Sequence, residues 1–190
     1  MVLLLVSVVG PGNRSLAIEA RPTGAQVRGA MEQGKQAASE HRSPEVFYVR
    51  FGSTGGTQPH GYLVTKLGGV SVMTTHMALH GLDPTESDIA HLLDNPTMLI
   101  STTIFGDHPS FAEQSYLVLD QGRRVIKPIT VRADGQADRS PVWPASPRFQ
   151  ARVVALFNYA DFDPKAVSTI LLYPAGGGEL RFSVDFARIE

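Results

Sequence analysis

The feature that most constrains this chain is the run Leu180-Arg181-Phe182-Ser183-Val184-Asp185-Phe186, in which apolar and polar residues alternate without a break. Side chains on a β-strand point to opposite faces in turn. A period of two therefore puts Leu180, Phe182, Val184 and Phe186 on one face and the polar residues on the other. A helix would scatter the same residues around its circumference. The segment predicts a half-buried antiparallel strand, with one face on a core and one in water. Phe47, Val49 and Phe51 share the rhythm from Glu45 onward. Strand-like runs follow at Met98 to Phe105, Tyr116 to Leu119, Val125 to Val131, Val153 to Tyr159 and Thr169 to Tyr173. Asp120-Gln121-Gly122, Asp163-Pro164 and Gly176-Gly177-Gly178 supply turn chemistry between them. Short strands at this spacing predict a mainly β chain, a sandwich or barrel rather than alternating βα units, and the expectation is an antiparallel β-sandwich of about seven strands.

Two helices interrupt the rhythm. Thr23 and Gln26 have capping-box spacing at the head of a segment running to His41, with Val27, Met31 and Ala38 on a weak apolar stripe. Further on, Asp83 can cap a short inserted helix, with Pro84 at its first position and Glu86 completing a box. Ile89, Leu92 and Leu93 give it a buried face, and Asn95-Pro96 ends it. Between them, Val70 to His80 fits a strand after a Gly68-Gly69 turn or a short helix; the strand is the expectation.

Met1 to Val9 reads MVLLLVSVV, too short for a bilayer span of about 20 residues but similar to the apolar core of a secretory signal. Ser15 and Ala17 offer small residues for cleavage after Ala17. The expected division is a truncated signal peptide over 1–17, an N-terminal helical extension over 18–43 and the sandwich over 44–190. No integral membrane span is expected once the leader is removed, and the location is periplasmic or secreted. A net charge of −1 and a lone basic cluster, Arg123, Arg124 and Lys127, argue against nucleic acid as a partner. The absence of cysteine removes disulfides, thiol nucleophiles and cysteine-ligated zinc.

No catalytic motif survives inspection. Gly29 to Gln36 approaches a phosphate loop, but Gln36 stands where a magnesium-binding hydroxyl is required. No serine sits in a nucleophile elbow. His76 and His80 are the best chemical lead: four apart on a helix, they could reach one metal ion, with His60, His91 or Asp83 as third ligand. On a strand they would lie about 13 Å apart, too far for one ion. Met77 occupies the position of a zinc protease's glutamate, which excludes that class. Asn158, Asp161 and Asp163 form an acidic loop that reads more simply as an Asp-Pro turn than as a calcium site. Trp143, in Pro141-Val142-Trp143-Pro144, is the candidate interaction residue if exposed and a core plug if buried.

Leu67-Gly68-Gly69-Val70-Ser71-Val72-Met73, Ile104-Phe105-Gly106-Asp107 and Phe182-Ser183-Val184-Asp185-Phe186 resemble segments of a group of exported, uncharacterised bacterial proteins, over most of the chain from Met31 onward. The C-terminal strand pair, joined near Asp163-Pro164-Lys165, resembles the immunoglobulin-like sandwiches of envelope proteins. The resemblance implies export and a sandwich fold, and it assigns no functional residue. The resulting expectation is a non-catalytic envelope module, without a cofactor, that binds a protein or small ligand. The alternative is a metal-binding protein or metal-dependent hydrolase built on His76 and His80.

Overall fold

The computed structural model describes residues 18–189, so the expected leader over 1–17 lies outside the described residues. Three helices, α1 (Gly24–Ser39), α2 (Lys66–Leu79) and α3 (Glu86–Asp94), accompany ten described strands. The strands are β1 (Val49–Gly52), β2 (His60–Val64), β3 (Thr97–Gly106), β4 (Tyr116–Asp120), β5 (Val125–Ile126), β6 (Thr130–Ala133), β7 (Asp138–Arg139), β8 (Phe149–Asn158), β9 (Val167–Tyr173) and β10 (Leu180–Asp185). They form two antiparallel sheets. The larger has the order β1-β2-β3-β8-β6, with β7 also on β8, and the smaller has the order β10-β9-β4-β5.

Alternation explains how the sheets meet. In the larger sheet, Leu63, Ile100 and Ala155 stand in register across β2, β3 and β8 and are all fully buried. In the smaller, Leu117 and Leu172 face each other across β4 and β9, with Leu180 of β10 beyond. These inner faces share one apolar cluster that also holds Phe157 and Phe186, the largest fully buried side chains. The chain is thus mainly β, a two-layer arrangement with one core between the layers.

Several local expectations change. The segment expected as a strand at Val70 to His80 belongs to helix α2, capped by Thr65, whose hydroxyl accepts from the Gly68 amide at 3.0 Å. Gly68 and Gly69 are close-approach positions rather than a turn. A Cβ on Gly68 would lie 3.0 Å from the Phe47 carbonyl oxygen, and one on Gly69 would meet Leu92 at 3.3 Å. The strand expected from Glu45 begins only at Val49, because Pro44–Phe47 forms a 3-10 turn capped by Ser43. The cap of α3 is Thr85 with Asp88, not Asp83 with Glu86; Asp83 instead pairs with Lys35 at 2.6 Å. The expected strand Val125 to Val131 splits into β5 and β6 on different sheets. Pro128 lies at the break, and its missing N–H suits a crossing rather than a ladder.

The helices form a second, smaller cluster around Val27, Ala30 and Val70. The capping box of Thr23 and Gln26 stands as the sequence predicts. α1 lies against α2 through small and hydroxyl-bearing residues. The Ser71 hydroxyl donates to the Ala30 carbonyl at 2.9 Å, and Thr75 donates to the Gly34 carbonyl at 3.1 Å. The helical layer therefore bridges the expected boundary between 43 and 44, since α2 follows β2 in sequence yet packs on α1.

Candidate functional site

His76 lies in the last turn of α2 and His80 caps it, both exposed. Helical spacing puts them on neighbouring surface positions, which removes the distance objection that a strand would raise. The third ligand does not arrive. Among the described residues no three His, Cys, Asp or Glu side chains converge on one point. Asp83 is held by Lys35, while His60 sits on β2, 6.1 Å from Phe105 between ring centroids. A zinc hydrolase takes three protein ligands and an open position, so this pair falls one short. The acidic loop has a turn's duties: Asn158 accepts from the Ala160 amide at 3.0 Å and Asp163 from the Lys165 amide at 2.8 Å.

Trp143 is 45% exposed, so it does not plug the core. The Arg139 guanidinium lies 4.3 Å from its ring centroid, a cation–π geometry that holds the indole in place. Asp107 anchors the loop from the other side. One oxygen accepts from the Ser146 hydroxyl at 2.9 Å and the other from the Arg148 amide at 3.2 Å. Those two hydrogen bonds, the Ser146 hydroxyl foremost, hold the Asp107 carboxyl below the usual carboxylate range. The result is a fixed apolar projection, with Val142 exposed beside Trp143.

The outer face of the larger sheet is a surface the sequence reading missed. Register aligns Arg50, Tyr62, Ser101, Val154 and Arg132 in one row across β1, β2, β3, β8 and β6, in which both arginines are exposed, Tyr62 and Val154 are half-buried and Ser101 is buried between its neighbours. Five strands at roughly 4.8 Å spacing make that row about 19 Å long. The next row carries His60, Thr103 and Arg152. Tyr48 stacks on Tyr62 with centroids 4.5 Å apart and planes 11° from parallel. Burial, and then the neighbouring Tyr62, raise the Tyr48 phenol above the ordinary tyrosine value. Arg50 pairs with Glu45 at 2.9 Å and Arg152 with Asp134 at 3.6 Å, whereas Arg132 has no ion pair among the described residues. Among these residues no helix or strand packs broadly over the face; α2 and α3 meet it only along one margin. The signal was present in the sequence as the polar half of the alternation, but only the register places the arginines beside the tyrosines.

That margin is a cleft of about 230 Å³ lined by Val64, Leu92, Leu99 and Leu156, with Lys66 and Tyr159 among its polar groups beside Thr65, Asn95 and Thr97. The Lys66 ammonium donates to the Leu93 carbonyl and lies 5.4 Å from the Tyr159 ring centroid. Burial pulls its pKa below the ordinary lysine value, against the opposing pull of Asp94. Tyr159 is only 8% exposed and its hydroxyl has no hydrogen-bond partner. Burial pushes its phenol well above the ordinary tyrosine value; the nearby Lys66 backbone amide opposes this without forming a bond of normal geometry. Thr74 and Thr102 hold the other unpartnered buried hydroxyls among the described residues, and neither lines a cavity described here. A larger cavity, about 560 Å³, lies between α1, α2 and the Pro44–Phe47 turn, with Phe47, Leu67 and Ile189 in its walls. It contains no unpartnered buried polar atom, which makes the smaller cleft the better-defined chemical site.

Comparison with protein-family models, curated proteins and solved structures found no match. No helix of the described residues is long and apolar enough to cross a membrane.

Proposed function

We propose that this chain is an exported, non-catalytic binding module of the bacterial cell envelope, which grips an acidic segment of a protein partner with the open face of its larger sheet. The observation that carries the reading is the row Arg50, Tyr62, Ser101, Val154 and Arg132. Tyrosine, tryptophan and arginine dominate binding hot spots, and arginine matches a carboxylate with two parallel hydrogen bonds. A rigid sheet presents these groups without an ordering cost at the moment of binding. Trp143, on the loop after β7, and Arg139, at the end of β7, give a second contact point. A periplasmic or secreted location is supported by the leader-like run Met1 to Val9.

An immunoglobulin-like form of the sandwich is part of the same reading, and strand order supports it. β2-β3-β8-β6 corresponds to the A-B-E-D sheet of such domains, and β10-β9-β4-β5 to the G-F-C sheet with one added strand. β1 and the pair α2 and α3 would then be additions around the first strand.

The test is capture from envelope extracts of the native host by the full chain. The double variant Arg132→Glu/Arg152→Glu is expected to lose an acidic partner at least tenfold, while Arg123→Glu/Arg124→Glu, on the β4–β5 turn, retains it. Equal retention by both variants contradicts the reading. A second reading, metal binding by His76 and His80, draws on the helical conformation of α2. Stoichiometric zinc in gently purified protein, lost on His76→Ala, would favour it over the first.

A further inference from the structure

We infer that the cleft at the start of α2 binds a small aliphatic carboxylate. Two side-chain donors border its polar end. The Lys66 ammonium carries three N–H groups, and one is directed at the Leu93 carbonyl. The Tyr159 hydroxyl is buried with no partner, an arrangement that costs free energy unless something occupies the site. Lys66 also opens α2, where the aligned peptide dipoles favour an anion. The Thr65 hydroxyl takes the Gly68 amide, while the Lys66 amide lies beside the Tyr159 oxygen and leaves that residue's O–H without an acceptor.

The walls determine the rest of the ligand. Val64, Leu92, Leu99 and Leu156 are aliphatic, and Gly69 keeps the floor open. About 230 Å³ holds roughly eight non-hydrogen atoms, at the roughly 30 Å³ that each water takes in the liquid. Arginine is absent from the lining, whereas a phosphate group is best met by a guanidinium fork. A carboxylate head with a short alkyl tail fits both halves of the site. Its oxygens accept from Lys66 and Tyr159 while the tail displaces water from the leucines. Asp94 stabilises the charged lysine without coming within ion-pair distance of it, which leaves the ammonium open to a second carboxylate.

Hexanoate is the probe, with 1-hexanol and inorganic phosphate as controls, titrated into the full chain and followed by amide NMR shifts around Lys66 and Tyr159. The expected Kd for hexanoate is on the order of 1 mM, a reasonable affinity for so few atoms. 1-Hexanol binds at least tenfold more weakly, and phosphate does not saturate. Lys66→Met weakens hexanoate about tenfold or more, the size of a charge-assisted hydrogen bond. Tyr159→Phe weakens it about fivefold while leaving the Tm unchanged or higher, because the variant loses an orphaned hydroxyl and keeps the ring. A folded Tyr159→Phe protein with unaltered affinity overturns the inference. So does 1-hexanol binding as tightly as hexanoate, phosphate binding more tightly, or no hexanoate shift at the cleft up to about 20 mM.

Discussion

Gly34→Ala and Gly29→Ala make the same chemical change on the same helix, and the structure gives them opposite signs. A Cβ on Gly34 would lie 2.6 Å from the Ser71 carbonyl oxygen and 2.8 Å from the Thr74 Cβ. The first of these is backbone in the middle of α2 and cannot swing aside, so α1 must move away. Overpacking of this kind costs about 1–3 kcal/mol. The shift also stretches the bonds from Ser71 to Ala30 and from Thr75 to Gly34, at 2.9 and 3.1 Å. Those bonds contribute about 1 kcal/mol each. Against this stands the gain of about 1 kcal/mol from replacing a helical glycine with alanine. The net is a loss of about 2–4 kcal/mol. Gly29 has nothing within 4 Å of its hypothetical Cβ, so only the propensity gain remains, about 0.5–1 kcal/mol. For a domain of this size 1 kcal/mol moves the Tm by about 2–4 °C. Thermal melts followed at 222 nm should show Gly34→Ala falling by about 5–15 °C and Gly29→Ala rising by about 1–4 °C. If Gly34→Ala is neutral or stabilising, α1 does not lie on α2 through this contact, and the helical layer is wrongly assembled.

Other outcomes follow from the same reasoning. Gly61→Ala would put a Cβ 2.3 Å from the Ser101 carbonyl oxygen and 2.5 Å from the Phe51 ring, costing about 3 kcal/mol by urea denaturation. Because the folded pKa of Tyr159 is raised above its ordinary 10.0, its contribution to stability is complete below pH 10 and is lost as pH rises beyond it. Tyr159→Phe should therefore lessen alkaline destabilisation above about pH 10 relative to the wild type, and an unchanged alkaline limb would contradict the burial of that hydroxyl. Arg139→Ala releases the face of Trp143, so indole fluorescence should shift and iodide quenching should rise with the Tm altered by less than about 2 °C. Elemental analysis should find zinc well below one equivalent, since His76 and His80 have no third partner among the described residues.

The sequence was most legible where a single period governed burial. Leu180, Phe182 and Val184 turn inward on β10, and Ile100 and Ile104 do so on β3, because a half-buried strand has no other solution. The capping box at Thr23 was equally plain, since its chemistry is local. α2 departs from the expected strand because its glycines serve close approach to Phe47 and Leu92, which are contacts across the fold, rather than a turn. Its lining of Ser71, Thr74 and Thr75 also lacks the contrast that marks an amphipathic helix. The cap of α3 was misplaced by two residues because Asp83 and Thr85 are both good capping types, and only the ion pair to Lys35 draws Asp83 away.

The candidate sites were less legible than the strands that build them. Trp143 could be named from its type, but its setting depends on Arg139 of β7, which lies over its ring, and on Asp107 just after β3, which holds the loop at Ser146 and Arg148. Lys66, at the start of α2, and Tyr159, just after β8, meet only in the folded chain, and no spacing in the sequence foretells that meeting. The row of Arg50, Tyr62 and Arg132 is a product of register between strands far apart in the chain. Residue types were readable one strand at a time; their arrangement across strands was not.

Photocrosslinking tests most directly whether the open face of the larger sheet is the working surface. A photoreactive residue replaces Thr103, between His60 and Arg152 on that face, or Ser183 on the outer face of the smaller sheet. In envelope extracts of the native host, position 103 is expected to yield a defined adduct that disappears in the Arg132→Glu/Arg152→Glu background, and position 183 to yield none. An adduct from position 183 alone, or one from position 103 indifferent to both charge reversals, would contradict the account.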